Sequence, residues 1–146
     1  MIHKNIRHNM KRVIIFAIAA TFVTIMRAQT FVVTRVDITE NGYRMFEKEG
    51  TSRGNAYKGS TEALGQKCRI EIYDEVLKLI VPDDNKKGYD EIPHKKKKDN
   101  IYTLVGKGDS KMDVILNTFF GYIRSFEWRW YDIDGMQILT IYCKRD

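Results

Sequence analysis

The chain reads as a mainly β protein. The expectation is an antiparallel meander of about seven strands, forming a curved sheet or small barrel, with one α-helix near 111–121. Three observations predict it. Apolar residues alternate with polar ones from residue 31 onward, the period of strands. Two segments can fold back on themselves in registers that keep one face apolar. Only "SKMDVILNTFFG" shifts to the spacing of an amphipathic helix.

Residues 1–28 have the order of a secretory signal peptide. "MIHKNIRHNMKR" carries Lys4, Arg7, Lys11 and Arg12 and no acid, "VIIFAIAATFVTI" follows from Val13 to Ile25, and Ala28 offers a small residue before a cleavage site. Met26 and Arg27 depart from the usual small-residue pattern at that site. The apolar run is shorter than the roughly 20 residues a spanning helix needs. No cysteine follows it, so a lipoprotein anchor is not indicated. Cleavage before Gln29 is expected, leaving a single β-rich domain over 29–146, exported to the periplasm or secreted, with no stable membrane anchor.

That processing changes the meaning of the charge. The formal net charge is +6, but five of the 25 basic residues precede Gln29 and none of the 19 acids does. Residues 29–146 therefore hold 20 basic side chains against 19 acidic ones, and a polyanion such as nucleic acid is not an expected partner.

"FVVTRVDI" (31–38) is rich in β-branched residues, and Asn41–Gly42 supplies a tight turn into "YRMFEKE" (43–49). Residues 50–66 hold four glycines and read as loop. "KCRIEIYDEVLKLIV" (67–81) folds at Asp74–Glu75, setting Ile72 against Leu77, Ile70 against Leu79 and Cys68 against Val81, with Glu71 and Lys78 paired on the other face. Residues 82–100 are polar, contain both prolines and read as a mobile loop. "NIYTLVG" (100–106) is a strand. The helix that should follow has Met112, Ile115, Leu116, Phe119 and Phe120 on one side, Ser110 with Asp113 as a cap and Gly121 as a stop.

"FEWRWYDIDGMQILTIYC" closes the pattern as a hairpin with Asp134–Gly135 in a type I′ turn. Trp130 then faces Leu139, Trp128 faces Ile141 and Phe126 faces Cys143. The alternative, a calcium loop starting at Asp132, places Met136 and Cys143 where oxygen ligands belong.

Chemistry has little to work with. His3 and His8 fall in the signal, leaving His94 in "HKKKK" (94–98). "GKGDSK" (106–111) lacks the Walker pattern and reads as a turn. No catalytic set, metal site or cofactor is expected, and enzyme activity is not expected. Cys68 and Cys143 are a disulfide candidate in an oxidising compartment.

Two functions remain. One is a non-catalytic interaction or inhibitor module with an unknown protein partner, using Arg129, Tyr131 and Tyr142 as a binding face. The other is a lipocalin-like binder of a small apolar ligand, with Trp128 and Trp130 lining the cavity. Against the second stands packing of the tryptophan face beneath the helix, with Phe119 and Phe120 as partners.

Overall fold

The computed structural model describes residues 28–45, 58, 60–83, 85, 87–106 and 111–146. The signal segment, apart from Ala28, lies outside the described residues, as do 46–49 and Ser110 of the expected cap. Nine strands run in chain order: β1 (Ala28–Glu40), β2 (Tyr43–Arg44), β3 (Lys67–Tyr73), β4 (Val76–Asp83), β5 (Gly88–Lys98), β6 (Ile101–Leu104), β7 (Lys111–Phe119), β8 (Tyr122–Tyr131) and β9 (Gln137–Arg145).

Each strand from β3 to β9 pairs antiparallel with the next, as expected of a meander. The long first strand closes it. β1 pairs with β3 through Ala28–Val32 and with β9 through Phe31–Glu40, giving an eight-stranded barrel of β1 and β3–β9. Residual β2 folds back on the end of β1 through Asn41 (φ 49°) and Gly42 (φ 82°), the turn that Asn-Gly favours. Register shifts between Val33 and Arg35, Lys96 and Lys98, and Asn117 and Thr118 bend their strands, which helps a sheet curl into closure.

Alternation decides what points inward. Phe31, Cys68, Ile70, Leu77, Leu79, Val114, Leu116, Phe126, Ile141 and Cys143 are buried together. The Phe31 and Phe126 rings meet edge to face at 5.1 Å. An eight-stranded barrel is just wide enough for side chains to fill it or for one small ligand to enter.

Both hairpin registers are as read from the sequence. β3 and β4 pair Ile72 with Leu77 and Ile70 with Leu79, around Asp74 at φ 57°. Glu71 stands opposite Lys78, but its carboxylate takes Arg69 (3.2 Å) and the Tyr73 hydroxyl (2.9 Å), while Lys78 reaches Glu91 at 3.5 Å. β8 and β9 pair Trp130 with Leu139, Trp128 with Ile141 and Phe126 with Cys143. Their turn differs from the type I′ expectation. Of Asp134 and Gly135 only the glycine has positive φ (70°), and Gly135 N donates to Asp132 O at 3.0 Å.

Two expectations are overturned. No helix forms at 111–121: residues 111–119 are β7, pairing with β6 and β8, and Gly121 (φ 77°) sits in a hairpin turn instead of ending a helix. The helical spacing was produced by a strand with apolar residues on both faces, because Ile115 points outward opposite Ile101 while Met112, Val114 and Leu116 point inward. Phe119 and Phe120 therefore pack under nothing helical and are exposed. The second correction concerns the mobile loop expected over 82–100. Gly88–Lys98 is a strand held between β4 and β6, and His94 within it is wholly buried.

Candidate functional site

The two ends of the barrel differ. One end, the base, carries the turns at 74–75, 99–100 and 120–121 together with the start of β1 and the end of β9. The other, the mouth, carries the turns at 41–42 and 132–136 and the segment that leads into β3. Large side chains fill the interior toward the base. Toward the mouth they do not meet, and a cavity of about 210 Å³ remains.

Its walls follow from strand alternation. Val33, Cys68, Leu79, Val81, Phe126, Trp128, Trp130, Ile141 and Cys143 all point inward along five strands, Ala63 and Gln66 border the cavity from the segment before β3, and Lys67 and Pro82 complete its edge. That segment is pinned to β1: Val33 N donates to Gln66 O at 3.0 Å and Gly65 N to Val33 O at 2.9 Å. Trp128 and Trp130 both stand in this wall, with rings in edge contact at 4.8 Å. Trp130 stands at the rim, partly exposed, and Trp128 is buried. The buried Nε1–H of Trp128 has no acceptor among the described residues. An unmade hydrogen bond in an apolar setting is unfavourable by about 1–3 kcal/mol.

Cys68 and Cys143 also line this cavity. Their sulfurs are 3.9 Å apart and unbonded. Contact with Cys68, and then burial, push the Cys143 thiol well above the usual thiol range, so it stays protonated at neutral pH.

The expected binding face lies on the outside of the barrel. Arg129 donates from Nε (2.9 Å) and Nη2 (2.6 Å) to Glu127 on its own strand. Burial raises the Tyr131 phenol, with Arg129 opposing, and Lys111 lies 4.8 Å from its ring. Tyr142 is roofed by the Arg35 guanidinium at 3.9 Å. Arg35 also reaches Asp37 (3.0 Å), which takes Arg44 as well (2.6 Å). The three residues thus share one outer face, each already engaged by a neighbour.

Sequence reasoning missed His94 as a core residue. Its Nδ1 donates to Ile92 O at 3.0 Å, which leaves Nε2 as a bare acceptor, buried without a partner among the described residues. Burial lowers its pKa, against smaller raising effects from Ile92 and Asp113. The signal available was parity: His94 keeps step with Ile92. Among the described residues, no three His, Cys, Asp or Glu side chains stand close enough to hold a metal ion.

A larger groove of about 580 Å³ lies outside the barrel along Thr30, Arg69, Ile80, Pro82, Tyr89 and Glu91. Its mixed, charged walls make it a weaker candidate than the smaller apolar interior, since ligand sites are mainly apolar with a few placed polar groups. Comparison with protein-family models, curated proteins and solved structures found nothing that matches this chain.

Proposed function

We propose that the protein is a non-catalytic binder that holds one small apolar molecule in the barrel mouth. The observation that carries this is the cavity of about 210 Å³ with Trp128 and Trp130 in its wall. An apolar cavity near 150 Å³ admits benzene. The volume here therefore suits a one- or two-ring aromatic or a short acyl chain. The unpartnered Trp128 Nε1–H favours a ligand with one acceptor oxygen, since that bond would relieve a buried orphan. The reading as an interaction or inhibitor module ranks second, because Arg129, Tyr131 and Tyr142 already have partners within the chain.

The test is a panel of small aromatics and medium-chain acids scored by tryptophan emission and thermal melting. A true ligand at 100 times its Kd should stabilise the barrel by about 2.7 kcal/mol. Val81→Phe, which fills the cavity from its wall, should abolish the effect while leaving the barrel folded. A panel that moves neither emission nor melting temperature would sink the proposal.

A further inference from the structure

The base of the barrel presents a feature the cavity does not use. Phe119 (49 %), Phe120 (85 %) and Tyr122 (54 %) are heavily exposed around the β7–β8 turn. Phe119 and Tyr122 are paired across this hairpin, and the Phe119 and Phe120 rings meet edge to face at 4.4 Å. Phe120 occupies φ 49° beside Gly121 at 77°. Such a turn favours Asn, Asp or Gly at both positions, and a bulky aromatic there is a backbone outlier. Its ring contact with Phe119, itself exposed, buries little, so packing offers small return for the strained backbone.

Positive charge surrounds the tip. The Arg124 guanidinium lies 4.0 Å from the Phe119 ring. The next hairpin at this end carries Lys95–Lys98, and Leu116 N donates to its Asn100 O at 2.8 Å, which fixes the two hairpins side by side. Lys144 and Arg145 end β9 beside them. Acids are fewer here, Glu71, Asp74, Glu75, Asp99 and Asp146, of which Asp99 takes Lys96 at 3.7 Å. The chain also enters the barrel at this end, where Ala28 pairs with Glu71.

We propose that the base docks on an anionic lipid bilayer, with Phe119, Phe120 and Tyr122 entering the headgroup region and the surrounding lysines and arginines facing the lipid phosphates. Aromatic rings favour that interface, and basic side chains near an anionic surface add attraction. The mouth, at the opposite end, then faces away from the membrane. This inference stands on the base alone and does not depend on ligand binding in the cavity.

The test reads the tip directly, in protein recovered from cells expressing the full chain. Phe120→Trp places a fluorophore at the turn. Vesicles containing phosphatidylglycerol and brominated acyl chains should blue-shift and quench its emission beyond the parent protein's, and vesicles of phosphatidylcholine alone should do so several-fold less. Lys97→Glu with Lys98→Glu should reduce the quenching on the anionic vesicles. Should Phe120→Trp misfold, Tyr122→Trp reports from the same hairpin. No added quenching on either vesicle overturns the proposal. Equal quenching on both overturns its anionic part. Loss of quenching in Phe120→Trp when Arg124→Ser is added, with the melting temperature held, supports it.

Discussion

The sulfurs of Cys68 and Cys143 lie 3.9 Å apart although their strands are not neighbours. Phe31 of β1 pairs with Cys68 on one side, and Val33 pairs with Cys143 on the other, so the thiols meet inside the barrel across an intervening strand. Two flat strand spacings would separate their backbones by about 9–10 Å. A disulfide tolerates Cα separations only up to about 7 Å, so curvature must supply the rest of the approach before a bond can close.

Both thiols should therefore resist aqueous reagents in the folded protein. A thiol-specific dye is expected to label neither quickly under native conditions and both after unfolding. Cys143→Ser, which buries a hydroxyl in an apolar wall, should destabilise by about 1–3 kcal/mol. Denaturant melts check the second expectation. Fast native labelling would show that the mouth opens far more than its packing implies.

Stability should fall on acidification through the ordinary histidine range. His94 has its pKa lowered by burial, so below about 6.5 the unfolded chain binds a proton that the folded chain resists. More protons on the unfolded state means stability rises with pH across that window, and the contribution is complete above it. His94→Leu should flatten this part of the profile and gain most at the acid end. An unchanged slope would mean other groups dominate.

Trypsin should spare Lys95 and Lys96. Lys95 pairs with Val76 and Thr103, and Lys96 N donates to Glu75 O at 2.7 Å, so both lie in a strand bonded on two sides. Cleavage there requires local opening. Peptide mapping of an early digest that shows these bonds cut first would contradict the placement of β5.

Phe120→Gly should stabilise the fold. An L-residue held in the left-handed region is strained by about 1–2 kcal/mol, and glycine removes that strain at the cost of greater freedom when unfolded. A net gain of about 1 kcal/mol by chemical denaturation is expected. The same change should weaken vesicle binding, so stability and membrane contact move in opposite directions.

How much of this was legible beforehand varied by strand for physical reasons. The β3–β4 and β8–β9 registers could be read because one face of each hairpin is apolar throughout, so a slip of one residue would expose Ile70 and Leu79 or Trp128 and Ile141. β7 misled because Ile115 is apolar on the outer face. β5 misled more, since Pro93 and a lysine run argue against a central strand. Its order comes from β4 and β6, and just past β6 Val105 N donates to Pro93 O at 2.9 Å. That support is invisible in a local window. The cavity residues Trp128 and Trp130 could be proposed from alternation, but the space between them depends on β1 meeting β9, which no short stretch reveals.

The shared first strand also governs how the molecule can be made. Val33 and Cys143 pair across 110 positions of sequence (143 − 33), so the seam that completes the barrel is among its most distant contacts. Closing it requires an entropic search that local hairpins do not face, and topologies rich in distant pairings fold slowly. Hairpins such as β3–β4 can form early, while β1 and β9 wait with unsatisfied edges. An interrupted seam would leave two long strands able to recruit other chains, so the slowest step of folding is also its most aggregation-sensitive.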